Sequence, residues 1–162
     1  SLLAILFSAA TLRAAPLTAD GWELLVIAYP DGRDVSVVLG GGVKTLTAKG
    51  ACAVKWRKNV ATLELQLEGL PAPADAGWAG AQYVLWAIDN ENGTMNLGLV
   101  PTKGKDAKWK LKAPMRIFGL LVTAEKNPQV VVPSGQVVLE SLLPTDPNLV
   151  VPVFRVNVPL TP

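Results

Sequence analysis

The chain has 162 residues, enough for one domain with a sizeable core. Half of its residues are hydrophobic and only 17% are charged, against roughly 25% in ordinary soluble domains, so either the core is large or a partner or lipid covers part of the surface. A formal net charge of +2 argues against nucleic acid as a ligand, and one cysteine with no histidine excludes an internal disulfide and leaves few nucleophilic or acid–base groups.

Residues 1–21 begin with an apolar run that ends before Arg13. It is shorter than the ~20 residues that cross a bilayer. Its length suits the apolar region of a signal peptide, but the end of a membrane helix or an anchoring helix fits better. A core helix of the domain is the third reading. Leu2, Leu3 and Phe7 are the side chains expected to touch membrane or partner.

From residue 22 onward the pattern is that of short strands and turns. Residues 22–29 and 35–39 flank Pro30-Asp31-Gly32-Arg33, a strong turn signal that predicts a hairpin. Gly40-Gly41-Gly42 breaks the second strand. No Gly-Lys-Ser/Thr follows, so it reads as a flexible connection and not a phosphate loop. Residues 43–47 and 51–57 are strand candidates, and Cys52 within the latter reads as a small buried hydrophobe. Residues 62–68 alternate cleanly, with Leu63, Leu65 and Leu67 on one face and Glu64, Gln66 and Glu68 on the other. The two glutamates face solvent, where nothing apolar raises their pKa for acid–base work.

Residues 71–80 form a Pro/Ala/Gly-rich loop that holds Trp78. Residues 82–89 are almost continuously apolar, as expected of a central strand covered on both faces, with Trp86 at the heart of the core. Asp89-Asn90-Glu91-Asn92-Gly93 is a turn whose spacing does not match a calcium loop of the EF-hand type. Lys108-Trp109-Lys110-Leu111-Lys112 predicts a strand with Trp109 and Leu111 inward and the three lysines outward. Lysines in that position guard a sheet edge against unwanted pairing. They also suit a contact with anionic lipid headgroups or an acidic partner. Residues 116–125 and 136–141 supply the last strands.

The segment 142–162 carries five of the 13 prolines, Pro144, Pro147, Pro152, Pro159 and Pro162, and no glycine. Proline excludes a helix or a central strand. Phe154, Val156 and Val158 line one side of what should be an extended arm. It either returns along its own sandwich or docks on another chain, and these three residues are the expected partner contacts.

Gly69-Leu70-Pro71, Tyr83-Val84-Leu85-Trp86-Ala87-Ile88, the apolar strand ending in Thr123-Ala124-Glu125, and Pro133-Ser134-Gly135-Gln136-Val137-Val138-Leu139 form one pattern. It resembles the extracytoplasmic domain of anti-sigma-K factors over roughly residues 51–141. It also resembles a module that precedes the peptidoglycan-binding domain in some outer-membrane-protein-A-type envelope proteins. The resemblance implies a β-sandwich outside the cytoplasmic membrane. Nothing here corresponds to the family's sigma-binding domain, and the chain has no histidine for a His/Cys zinc site.

The expected architecture is all-β. It is an immunoglobulin-like antiparallel β-sandwich over 22–141, with an apolar N-terminal anchor over 1–21 and an extended Pro-rich C-terminal arm over 142–162. The expected function is that of a non-catalytic structural or accessory subunit on the extracytoplasmic side of a bacterial membrane complex, such as a photosynthetic or respiratory assembly. A free-standing envelope binding or sensor domain is the alternative. Expected partners are other protein subunits and the membrane, not nucleic acid. No cofactor, metal or catalytic residue is expected, and the chain offers no histidine to ligate a haem or chlorophyll.

Overall fold

The alternation of the leucines in residues 62–68 sets the pattern for the strands covered on one side: one face turns into a shared core and the other turns out. A computed structural model describes residues 21–41, 47–91, 93–101 and 106–160. These residues form an antiparallel assembly of ten strands and no helix. They are β1 (Gly21–Ala28), β2 (Asp34–Gly41), β3 (Lys49–Arg57), β4 (Val60–Glu68), β5 (Gln82–Ile88), β6 (Thr94–Leu99), β7 (Ala107–Ala113), β8 (Ile117–Glu125), β9 (Gln136–Pro144) and β10 (Val153–Pro159). Residues 1–20, with Leu2, Leu3 and Phe7, lie outside the described residues, as does most of the strand expected over 43–47.

One continuous path, β6-β5-β8-β9-β2-β3-β4-β7, curls into a nearly closed barrel. Its inner face is the main core: Val35, Val37 and Leu39 from β2, Leu63, Leu65 and Leu67 from β4, Tyr83 and Leu85 from β5, and Phe118, Leu120 and Val122 from β8. Cys52 belongs to it, fully buried, and burial pushes its thiol up to about 12. The β3–β4 hairpin turns through Lys58 and Asn59, both at positive φ (54° and 65°). That two-residue geometry matches the right-handed strand twist.

The remaining two strands make a second layer. β1 and β10 pair along their whole length, from Gly21 opposite Pro159 to Ile27 opposite Val153. This ribbon lies over the outside of β5 and β8. Between them sits a second core of Leu24, Val26, Val84, Trp86, Ile88, Leu121, Val156 and Val158. Side chains of β5 therefore alternate between two cores, Tyr83, Leu85 and Ala87 into one and Val84, Trp86 and Ile88 into the other. That explains why the strand is apolar at nearly every position. β1 crosses β8 at Gly119, where an added Cβ would sit 2.3 Å from the Leu25 carbonyl oxygen. No other residue type fits that crossing without displacing backbone.

The expected hairpin across Pro30–Arg33 does not form. β1 pairs with β10 and, through Ile27 and Ala28, with β8, while β2 pairs with β3 and β9. The turn instead carries the chain from the outer layer into the barrel. Tyr29 is buried against Phe118, ring centroids 4.8 Å apart, and Gly32 donates to the Trp56 carbonyl at 2.7 Å. Burying Ile27 and Tyr29 in the main core outweighs the local preference to fold back, because each large apolar side chain contributes ~1.5–3 kcal/mol.

Candidate functional site

Where β8 ends, a run of buried polar side chains replaces the apolar alternation. The Trp86 indole N–H donates to Thr123 Oγ1 at 2.8 Å, and the Thr123 hydroxyl donates to Glu125 Oε1 at 2.5 Å. Glu125, buried, also accepts from the Ser134 and Gly135 amides at 3.0 Å each and from the Ser134 hydroxyl at 2.7 Å. The carboxylate thus clasps the far end of the 126–135 loop back onto the strand that launches it. Charge-assisted bonds of this kind are about twice as strong as neutral ones. Gly135 is required for the clasp, since a Cβ there would meet the Ala124 carbonyl oxygen at 1.7 Å.

The near side of the same loop is tied to β6. Asn96 donates to the carbonyls of Pro128 and Val130 at 2.9 and 2.8 Å, and the Thr94 hydroxyl donates to that of Val131 at 3.0 Å. Held at both ends, the loop walls a cleft of about 620 Å³ whose other wall is the 77–81 segment. Trp78, Glu125, Asn127, Ser134 and Gln136 line it. The cleft is a fixed, mixed polar and apolar concavity of the size small ligands occupy. Among the described residues no group of three or more His, Cys, Asp or Glu comes together as a metal site. In the Asp89–Gly93 turn, Asp89 Oδ1 accepts from the amides of Glu91 and Gly93 at 2.8 and 2.7 Å, so its oxygen closes the turn.

The lysine row lies at the end of the barrel path. β7 pairs with β4 on one side and has no strand on the other among the described residues. Lys108, Lys110 and Lys112 are exposed, and Trp109 and Leu111 are half-buried against the main core. Lys110 Nζ lies 3.0 Å from Glu64 on β4. Lys108 and Lys112 stand opposite Gln66 and Thr62 and make no ion pair among the described residues.

The C-terminal trio separates. Val156 and Val158 are buried in the chain's own second core, opposite Leu24 and Trp22 in the ribbon. Phe154, on the same face but at the ribbon's end, is 37% exposed. The segment thus returns along its own fold, the first of its two alternatives. Trp22 at the other end donates its indole N–H to Glu140 of β9, whose half-buried carboxyl is pushed above its usual range by desolvation.

Sequence reasoning saw Thr123-Ala124-Glu125 and Pro133-Ser134-Gly135 as parts of one pattern but did not join them. The available signal was a Glu at a strand end with a Ser-Gly pair about ten residues on. The cleft residues Asn127 and Gln136 gave none. Compared with known protein families, with curated proteins and with solved structures, the chain matches none.

Proposed function

We propose that the chain is a non-catalytic structural or accessory subunit held on the extracytoplasmic side of a bacterial membrane complex, a photosynthetic or respiratory assembly being one such host. The observation that carries this reading is apolar surface on a chain in which only 17% of residues are charged. Val150 is 93% exposed, Val131 76%, Leu143 54% and Leu99 49%. Leu99 and Val131 line one groove with Pro128 and Val130, beside the cleft loop. Surface of this kind favours burial against a partner. Phe154 adds a half-exposed aromatic anchor, and residues 1–21 would bring the domain to the membrane. The proposal includes the immunoglobulin-like grouping of the sandwich, supported by antiparallel layers packed face to face across two cores.

The experiment is purification from membranes solubilised in mild detergent, with Val131→Asp/Leu99→Asp alongside. Stable partners that travel with the native chain and are lost with the variant, at unchanged melting temperature, support the subunit. A lone monomer that needs no detergent supports a second reading, an envelope binding or sensor domain akin to the anti-sigma-K factor module. The 620 Å³ cleft beside Glu125 favours that alternative.

A further inference from the structure

β7 is a strand with half a partner. On one edge it pairs with β4 in a full register, Ala61 opposite Ala113 through Leu67 opposite Ala107. On the other edge it has no strand among the described residues. Its inward side chains reflect this: Trp109 and Leu111 pack on the main core yet stay half-buried, while their β4 neighbours Leu65 and Leu63 are fully buried. Among the described residues no strand covers the main core along this border. β6 at the other end of the path is likewise half-buried on its inward face at Met95 and Leu97, and the two end strands do not pair.

β4 shows what kind of strand β7 accepts. Its sequence from Thr62 to Glu68 alternates leucine inward with Glu64, Gln66 and Glu68 outward. The leucines cover the core beside Trp109 and Leu111, and Glu64 takes Lys110. Among the described residues Lys108 and Lys112 have no ion-pair partner, and they project from the outer face. A strand added to the free edge meets the same inward and outward side chains. It needs apolar residues on its inner face and carboxylates on its outer face, four residues apart, to match the roughly 13 Å that separates Lys108 from Lys112 along a strand. A second copy of this chain is disfavoured, since pairing β7 with β7 sets lysines against lysines.

We infer that the free edge of β7 is a strand-addition site for an extended segment of another polypeptide in which apolar and acidic residues alternate. Main-chain bonds supply affinity, and the lysine row selects charge and register. The site deepens the reading of the chain as an interaction subunit and rests on it.

The probe is the fluorescein-labelled heptapeptide Thr-Leu-Glu-Leu-Gln-Leu-Glu, a copy of residues 62–68, titrated with the whole chain by fluorescence anisotropy at low salt. The controls are a peptide with lysine at both glutamate positions and vesicles containing phosphatidylserine. The native chain should bind the acidic peptide at least tenfold more tightly than the basic one. Lys108→Glu/Lys112→Glu, which leaves the Lys110–Glu64 pair in place, should reverse that order. Lys108→Gln/Lys112→Gln should weaken the acidic peptide severalfold without favouring the basic one, and an unchanged melting temperature of this milder pair shows that the fold is kept. Equal binding of both peptides, no binding of either, or no reversal overturns the inference, as does lysine-dependent binding to vesicles alone. If partners still co-purify with the chain while the peptide fails, the edge site is wrong and the subunit reading stands. If neither happens, both fall.

Discussion

Tyr29 and Glu125 are both buried, one inside the barrel and one at the end of β8 beneath the 126–135 loop, and their polar atoms fare differently. Tyr29 lies in the barrel interior, and its hydroxyl has no hydrogen-bond partner among the described residues. Glu125 lies on the outer face of β8, and its two oxygens accept from Thr123, Ser134 and Gly135. The inner core is founded on β2-β3-β4, neighbours in sequence and in space, is completed by β5, β7, β8 and β9, and is almost wholly apolar, with the Tyr83 hydroxyl donating to the Pro71 carbonyl at 2.6 Å. The outer core is closed by the two ends of the described chain, β1 and β10, and polar tethers accompany it. Apolar alternation can close a barrel by itself. Holding a remote ribbon and a long loop in one place takes directional bonds as well, because ordering such segments costs about 1–2 kcal/mol of backbone entropy per residue.

The sharpest test of this contrast removes the ribbon's second strand. Ending the chain after Ser141 deletes β10 and the tail of β9. It uncovers Leu24, Val26, Trp86 and Leu121 and leaves β1 paired only at Ile27 and Ala28, with β8. Losing the buried Val156 and Val158 alone costs ~3–6 kcal/mol at ~1.5–3 per side chain, against a total stability of ~5–15 kcal/mol. We expect loss of the cooperative thermal transition, or a large fall in its midpoint with binding of a hydrophobic dye. An unchanged melt would make the outer layer a dispensable flap, free to dock elsewhere, and the two cores would not be equals.

Glu125→Ala tests the tethers. It leaves the Ser134 and Gly135 amides and the Thr123 hydroxyl without their acceptor, and hydrogen bonds to a charged group contribute ~1.5–3 kcal/mol each. Solvent reaches part of the loop, so the expected loss is about 3 kcal/mol, with faster amide exchange at Ser134 and Gly135. Glu125→Gln should recover only part, since its amide nitrogen cannot accept. If exchange at those two amides is unaltered, the clasp is not what fixes the cleft wall.

The inner core was the legible one. Leu63, Leu65 and Leu67 announced their face by a period of two, and the lysines of β7 announced theirs, because a half-buried strand writes its environment into every second residue. β5 was legible for the opposite reason: an apolar strand with no wet face requires cover on both sides, as Trp86 has. What covers that second face was not legible. Pairing Leu24 with Val156 joins residues more than a hundred positions apart, and periodicity carries no information about distant partners. For the same reason Pro30–Arg33 looked like a hairpin. Its turn chemistry was right, but the choice of strand partner lay with Phe118 and Trp56. The prolines of 142–162 fit the absence of a helix there and the edge position of β10, which among the described residues pairs on one side alone, but the exclusion of a central strand missed that β9, between β8 and β2, runs on to end at Pro144.

The smallest effect should come from the inner core and carry the opposite sign. Tyr29→Phe keeps the ring contact with Phe118 and removes a buried hydroxyl that has no partner among the described residues. An unsatisfied buried donor costs ~1–3 kcal/mol, so the variant should be about 1 kcal/mol more stable at neutral pH. Burial holds the phenol's pKa well above its ordinary value, with the Cys52 thiol a lesser cause. A group whose pKa rises on folding gives its full contribution below the unfolded value of ~10 and loses it as pH climbs toward the folded value. Native stability should therefore decline at alkaline pH, from ~8.5 through the buried Cys52 thiol and from ~10 through Tyr29 as well, and Tyr29→Phe should make the upper part of that limb shallower. The measurement is urea unfolding of both proteins at neutral and alkaline pH. A variant less stable than the native chain at neutral pH would mean that the hydroxyl is hydrogen-bonded after all, to a trapped water inside the barrel, and the polar contrast between the cores would disappear.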